Sequence, residues 1–242
     1  MTYCVGVMLE SGLVLASDSR TNAGVDQIAN FRKMTVFERP GDRVIAMLSS
    51  GNLAVTQGVV ALLEQRAQMN QQNIWNAASF YDVAYLVGET LREVHKRDGP
   101  HLMQHHIDAS AGFIVGGQIG GERHRLFNIY TEGNFIEATP DTPFFQNGEV
   151  KYGKPILDRM ISSSTGLIEA TKCVLVSFDS TIRSNISVGL PIDLLCYERG
   201  TLKIGLQRRL GDQDSYYNRV RQQWGEGLKR LFSELPDPHW ED

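Results

Sequence analysis

Cysteine and positive charge are both scarce in this chain, and each shortage excludes a class of protein. Its three cysteines, Cys4, Cys173 and Cys196, have neither the spacing of metal ligands nor the even number of a disulfide framework. Lys and Arg number 24 against 28 Asp and Glu, which gives a formal net charge of −4. We therefore expect no nucleic-acid partner and a reducing, cytoplasmic environment.

Long apolar runs and cofactor motifs are also missing. No run approaches the roughly 18 apolar residues of a membrane-spanning helix, and the N-terminal segment lacks the basic region of a secretory signal. The glycines between 112 and 121 do not form the pattern G-x-G-x-x-G, so they indicate close packing of strands rather than a phosphate site. We expect no membrane segment and no cofactor.

The strand patterns that are present indicate sheets covered on both faces. Residues 2–9 and 13–17 are apolar at nearly every position and flank a turn at Glu10–Gly12, which predicts a β-hairpin. Continuous rather than alternating apolar character is typical of strands buried on both sides. A polar loop is expected over residues 18–30.

The order of the remaining elements indicates an α+β fold. Further strands are predicted at 33–37, 43–48, 109–119, 125–130, 135–138, 192–198 and 202–206, and helices from about 52, at 77–96, 152–161, 166–178 and 215–235. Blocks of strands and helices without strict alternation favour two antiparallel sheets covered by helices. With no linker or repeat in sight, residues 1–242 are expected to form a single domain.

Threonine follows the initiator methionine directly. If Met1 is removed, Thr2 carries both a hydroxyl nucleophile and its own α-amine, whose pKa lies near 8 in ordinary peptides. Such an amine can accept the hydroxyl proton near neutral pH. Many proteins begin with Met-Thr and have no catalytic threonine, so the function of Thr2 has to be inferred from the residues that follow it.

That sequence resembles proteasome β subunits. Residues 16–24 match the hairpin pattern A-x-D-x-R-x-x-x-G, and the offset from Thr2 to Asp18 is the one found in that family. Lys33 matches the family's active-site lysine, and Gly51 matches its oxyanion-hole glycine at a helix start. Residues 1–24, 148–159 and 178–191 are similar to Anbu, the proposed ancestral β subunits.

The resemblance implies a fold and a chemistry. It implies a four-layer αββα sandwich and a threonine-type N-terminal nucleophile hydrolase that cleaves peptide or amide bonds. Thr2 would attack the carbonyl, Asp18 would pair with Lys33, and Gly51 would face the oxyanion. The backbone at Thr21, Asn22 and Gly24 would hold an extended peptide or protein substrate. Assembly into a homo-oligomer, as a ring or a helix, and an unidentified ATP-dependent partner are further implications.

The elements that orient the terminal amine depart from the family pattern. A Gly-Ser-Gly element is replaced by Gly148 and Glu149, which are candidate substitutes, and no Asp-x-x-Ser follows. The supporting residues nearest to that pattern are Asp179, Ser184 and Ser187. Two alternatives therefore stay open, namely a narrow amidase or transferase for a small peptide or amide, and a catalytically silent assembly scaffold.

Each motif also has a purely structural interpretation. Taken singly, Asp18 would be a turn cap and Lys33 a solvated charge on an edge strand; only their combination with Thr2 favours catalysis. His101 and His105 stand four residues apart like a zinc pair, but no glutamate completes H-E-x-x-H, so a polar helix tip and no metal are expected. The C-terminal helix carries aromatic and basic residues that suit an interface.

Overall fold

The computed structural model describes residues 2–23, 27–69 and 71–238. Its strands are β1 (Tyr3–Leu9), β2 (Gly12–Asp18), β3 (Arg20–Ala23), β4 (Gln27–Asn30), β5 (Met34–Arg39), β6 (Arg43–Gly51), β7 (Ala111–Ile119), β8 (Arg125–Ile129), β9 (Phe135–Glu137), β10 (Phe144–Gly148), β11 (Ile192–Glu198) and β12 (Leu206–Leu210). Its helices are α1 (Leu53–Arg66), α2 (Phe80–Gln104), α3 (Val150–Met160), α4 (Leu167–Ser184) and α5 (Ser215–Ser233).

The strands form two five-stranded sheets and a small ribbon. The first sheet has the order β10-β1-β2-β11-β12 and the second the order β5-β6-β7-β8-β9, while β3 and β4 pair with each other. Every neighbouring pair is antiparallel. The hairpin of β1 and β2 lies in the middle of the first sheet, so both strands are paired along both edges.

Helices cover the outer face of each sheet, and the two inner faces pack together. In β1, Tyr3, Val5 and Val7 contact the cluster that includes α3, α4 and α5, whereas Cys4 and Met8 belong to the cluster between the sheets. The second sheet packs its outer face against α1 and α2. The α+β class and the four-layer αββα sandwich are thereby confirmed, and the double-sided burial of β1 and β2 explains their continuous apolar sequence.

Glycines let the two sheets approach closely. A Cβ atom on Gly6 of β1 would lie 2.7 Å from Ile114 Cγ2, and one on Gly116 of β7 would lie 2.9 Å from Leu126 Cδ1. Both positions face the opposite sheet, where even a methyl group would force neighbouring side chains to move. At Gly116, the expectation of close strand packing is therefore confirmed.

Several boundaries differ from the sequence prediction. The segment 18–30, predicted as a polar loop, contains the β3–β4 ribbon. Its polar residues lack the apolar pattern by which strands are recognised in a sequence. Helix α2 does not stop at Gly99-Pro100 but continues to Gln104. Proline removes only its own N–H from the helix, and the capping box of Ser79 and Asp82 together with a long buried stripe support the remaining turns.

The other differences arise from long-range pairing. Strand β10 was not expected, because its residues pair with β1, which is more than 130 residues away in the chain. Strand β12 begins at Leu206 rather than at 202, since Leu202 has a φ of +47° and belongs to the preceding turn. Helix α4 runs on to Ser184 instead of ending near 178. Within the described ranges, none of the helices has the length and apolar character needed to cross a membrane.

Candidate active site

A buried ion pair joins the end of β2 to the residue before β5. Lys33 Nζ lies 2.6 Å from Asp18 Oδ1, and only 6% of the Lys33 side chain and none of the Asp18 side chain is exposed. Lys33 Nζ also donates a hydrogen bond of 2.6 Å to the carbonyl oxygen of Arg20. Both partners are therefore removed from water, and the ammonium is held in one position.

Asp18 also accepts hydrogen bonds from three separate pieces of backbone. Its Oδ1 accepts from the Tyr3 N–H at 3.0 Å, and its Oδ2 accepts from the N–H groups of Arg20 at 3.2 Å and Gly189 at 3.4 Å. Burial raises the pKa of Asp18, and the Lys33 ammonium together with the N–H donors of Tyr3 and Gly189 opposes that rise. One carboxylate thus ties together β1, β3 and the segment before β11.

Tyr3 fixes the start of β1 from the other side of the sheet. Its hydroxyl is 2.5 Å from Ser177 Oγ on α4 and accepts a hydrogen bond of 2.6 Å from Gln146 Nε2 on β10. Burial raises the pKa of Tyr3 to about 12, so the phenol stays neutral at physiological pH. The residue after Thr2 is therefore anchored through both its backbone and its side chain.

Thr2 is clamped by the junction between β10 and α3. It is 7% exposed, and its carbonyl oxygen accepts a hydrogen bond of 2.8 Å from the Glu149 N–H. Gly148 has a φ of +86°, and a Cβ atom there would lie 1.8 Å from the Thr2 carbonyl oxygen. Only glycine permits this approach, for conformational and for steric reasons.

A cavity of about 950 Å³ opens beside Thr2. Among its lining residues are Thr21, Lys33, Gly51, Gly148 and Glu149. Several of the predicted site residues, from distant parts of the sequence, thus lie around one space together with Thr2. A cavity of this size suits part of a peptide or another small molecule.

The N-terminus of α1 borders the same cavity. Gly51 has a φ of +96°, and a Cβ atom there would lie 2.2 Å from the Ser110 carbonyl oxygen. Asn52 caps the helix, since its Oδ1 accepts from the N–H groups of Ala54 at 3.0 Å and Val55 at 3.3 Å. The positive end of the helix dipole therefore borders the cavity that Thr2 lines.

Three of the predicted supporting residues lie elsewhere. Asp179 is buried on α4, where its carboxylate pairs with Arg183 Nε at 3.0 Å and with Arg221 Nε of α5 at 2.9 Å. Ser184 is exposed at the end of α4, and the Ser187 N–H donates to the Asn185 side chain. None of the three lines the cavity. Asp179 has a structural environment, in which it joins two helices.

The predicted peptide-binding residues are only partly described. Thr21 lines the cavity, and the backbone of Asn22 lies in β3 opposite Ile28. Gly24 lies outside the described residues. The ribbon formed by β3 and β4 thus begins at the edge of the cavity.

Some residues of the site were not found by sequence reasoning. Gly189 supplies an N–H to Asp18, and Asn128 and Ile129 of β8 and Asn147 of β10 line the cavity. The Gly-Leu-Pro run that precedes β11 was a local signal for a turn or loop at Gly189. The wall residues carry no such signal, because only the packing of the two sheets brings β8 and β10 to the same space.

The histidine pair shows no metal-binding surroundings. His101 lies in the last turn of α2, and His105 follows the helix as its C-cap. In the described part of the chain, no group of three or more His, Cys, Asp or Glu side chains is arranged to hold a metal ion.

Comparison with solved structures shows close similarity over the whole chain. Anbu (ancestral β-subunit) from Yersinia bercovieri is 49% identical, with a TM-score of 0.94 and coverage of 99% of this chain and 100% of that one. The helical assembly of the Anbu complex from Pseudomonas aeruginosa gives 51% identity, a TM-score of 0.95 and 98% coverage of both chains. No protein-family model and no curated protein matches the chain.

The buried pair predicts a pattern of stabilities. We expect Asp18→Asn and Lys33→Met each to lower the free energy of unfolding by about 3–5 kcal/mol, because each leaves a buried polar or charged partner uncompensated. The double variant should recover much of that loss. Urea denaturation of the purified variants measures these differences.

The exposed pair of Lys154 and Asp158, 2.6 Å apart with side chains 53% and 48% exposed, provides the control. Asp158→Asn should cost less than about 1 kcal/mol. If the losses of the two single variants simply add in the double variant, Asp18 and Lys33 are not energetically coupled.

Proposed function

Because this chain belongs to the Anbu family of proteasome-related β subunits, we propose that it is a threonine-type N-terminal nucleophile hydrolase. The reaction is cleavage of peptide or amide bonds after Met1 has been removed. The observation that carries the proposal is the buried Lys33, paired with Asp18, in the wall of the cavity that Thr2 also lines. A structural role alone does not explain why an internal ammonium lies at a substrate-sized cavity.

Thr2 is the proposed nucleophile. Its Oγ attacks the scissile carbonyl, while its free α-amine accepts the hydroxyl proton, directly or through a water molecule. The ammonium of Lys33, fixed by Asp18, favours the alkoxide form of Thr2 and the neutral form of the amine. The departing amine takes up the proton, and water then cleaves the ester on Thr2 to release the acid product.

Gly51 is the proposed oxyanion donor. It lies on the cavity wall at the positive end of α1, so an N–H donor and a helix dipole act on the same developing charge. A donor of this kind commonly contributes about 3 kcal/mol to transition-state stabilisation. The backbone at Thr21 and Asn22, continuing towards Gly24, is the proposed binding edge for an extended peptide.

Gly148 and Glu149 are the proposed support for the nucleophile. The hydrogen bond from the Glu149 N–H to the Thr2 carbonyl, 2.8 Å long, fixes the residue that must attack. Ser184 and Ser187 are not part of this support in the arrangement described above. Their absence from the cavity favours the second candidate, a narrow amidase or transferase, which shares the chemistry but acts on small peptides or amides.

The third candidate is an inactive scaffold, and it is disfavoured by the surroundings of Thr2. A scaffold has no need for the close approach of Gly148 to the Thr2 carbonyl, or for a buried Lys33 in the wall of the cavity that Thr2 lines. Free, largely buried Cys4 and Cys173 agree with the proposed cytoplasmic location.

The proposed working form is a homo-oligomer. The Pseudomonas aeruginosa relative is described as a helical assembly. Large apolar side chains on the outside of this chain agree with that arrangement, since Ile168 is 80%, Ile186 82% and Phe232 77% exposed. Folded protein substrates would in addition require an ATP-dependent unfolding partner, because the site accepts an extended segment.

Intact mass spectrometry after exposure to a peptide epoxyketone tests the nucleophile. The probe reacts with a hydroxyl and a neighbouring free α-amine, so we expect a chain without Met1 that gains one adduct. Thr2→Ala should gain none. A processed chain that never reacts would contradict the proposal, and a chain that keeps Met1 would favour the scaffold.

Gly148→Ala tests whether the close approach to Thr2 matters for reactivity. The added methyl group has no room beside the Thr2 carbonyl, so we expect adduct formation at least about 100-fold slower, as for a misplaced reacting group. Gly200→Ala is the matched control, because Gly200 also has a positive φ, of +80°, but has no atom within 4 Å of its Cβ position. Equal rates in both variants would argue against the clamp.

Sedimentation velocity tests the assembly. We expect species much heavier than the 27.1 kDa chain, with a distribution that shifts with protein concentration. A single monomer at all concentrations would contradict the proposed oligomer, without bearing on the chemistry of Thr2.

A further inference from the structure

We propose that the cavity selects substrates that carry a cationic group, an ammonium or guanidinium, and that Glu149 is the residue that recognises it. This inference rests on the proposed function, since it names the substrate class of the same site. It rests on two buried acceptor oxygen atoms, one from each sheet's side of the cavity, for which the described part of the chain supplies no donor.

The first is the carboxylate of Glu149. Its Cα position is fixed beside Thr2 by the Gly148 approach and by the hydrogen bond from its own N–H. The side chain is 11% exposed and lines the cavity, and its buried Oε2 has no hydrogen-bond partner among the residues that the structure describes. Lys151 Nζ lies 3.6 Å from Oε2, beyond hydrogen-bond length, and its side chain is 67% exposed. Solvent screens such a contact strongly.

The second is the side-chain oxygen of Asn128. This residue lies in β8 on the opposite sheet, is 9% exposed and lines the same cavity. Its Oδ1 is buried and has no hydrogen-bond partner within the described ranges. Buried polar atoms are rarely left without partners, and each such atom costs free energy until a partner arrives. Both orphan atoms are acceptors, so the missing partner is a donor.

The charge balance of the cavity favours a cationic donor. Among the described residues that line it, only Lys33 and Glu149 carry formal charge. The ammonium of Lys33 is compensated by Asp18 and by the carbonyl of Arg20, both at 2.6 Å. The carboxylate of Glu149 is therefore the charge that dominates the electrostatic potential inside the cavity, and a negative potential attracts a cationic group.

The nearby apolar wall suits the stem of a lysine or arginine side chain. Ile129 and Ala111 of the second sheet, together with Ile107, line the same cavity as the two acceptors. Long basic side chains bury their methylene groups along such surfaces and present the charged end to a polar partner.

The mature α-amine of Thr2 is a rival partner for Glu149, but it fits the chemistry less well. A carboxylate paired with that amine would favour its protonated form, whereas the proposed base must be neutral when it accepts the hydroxyl proton. A substrate cation satisfies the carboxylate without opposing this step.

Peptide pairs that differ only by lysine or norleucine at one position test the proposal in the mature protein. With the lysine scanned along both sides of the scissile bond, we expect one position at which kcat/KM favours lysine at least tenfold. Glu149→Gln, which keeps the shape and removes the charge, should bring this ratio close to one. Asn128→Leu should lower it severalfold, and Glu10→Gln, in the exposed turn after β1, should leave it unchanged.

A different result would overturn the assignment. If Glu149→Gln lowers kcat/KM equally for both peptides and shifts the pH profile, then Glu149 positions the Thr2 amine and does not discriminate between lysine and norleucine substrates. If no position favours lysine, the cavity does not recognise a cation.

A binding measurement separates this inference from the proposed function. Thr2→Ala cannot cleave, so fluorescence anisotropy can follow labelled lysine and norleucine peptides on it at equilibrium. We expect Thr2→Ala to bind the lysine peptide more tightly, and the double variant with Glu149→Gln to lose this preference. That result supports the cation site even if the chain proves inactive as a hydrolase. Equal binding of the two peptides contradicts it, whatever the catalytic outcome.

Discussion

The ion pair between Lys33 and Asp18 is the interaction on which the arrangement around Thr2 depends. Asp18 accepts a charged donor and three backbone N–H groups, from Tyr3, Arg20 and Gly189, so a single carboxylate fixes four segments of chain. A buried charge of this kind is tolerated only when its partners are all in place. The same condition that makes the pair costly to break keeps the surroundings of Thr2 in one geometry.

The close approach of the two sheets provides the second constraint. Glycines at Gly6 and Gly116 bring the inner faces together, and Gly148 brings the end of β10 against Thr2. The cavity lies where this packing ends, with β8 on one side and β10 on the other. The sandwich therefore holds the proposed nucleophile at a cavity lined by β8 of one sheet and β10 of the other, and the proposed substrate would enter between them. Such preorganisation is what the proposed chemistry requires.

Charge divides the cavity into two parts with different proposed roles. The cation of Lys33 is neutralised internally, so it can act on Thr2 without attracting an acidic substrate. Within the described residues, the Glu149 carboxylate has one cationic neighbour, the exposed Lys151 at 3.6 Å, and no hydrogen-bond partner for Oε2, and so it remains available to a ligand. The proposed reaction and the proposed selectivity thus use different groups of the same space, which is why their tests can be separated.

The sequence by itself determined the elements whose evidence is local. The apolar hairpin of β1 and β2, the helix start after Gly51 and the spacing of Thr2, Asp18 and Lys33 were all legible, because they depend on neighbours within a few tens of residues. Tertiary structure alone decided that Gly189 reaches Asp18 across 171 positions, that β10 pairs with β1, and that Asp179 binds Arg221 instead of facing the cavity. These contacts arise from how two sheets and their helices pack, and a linear pattern carries no record of which distant surfaces meet.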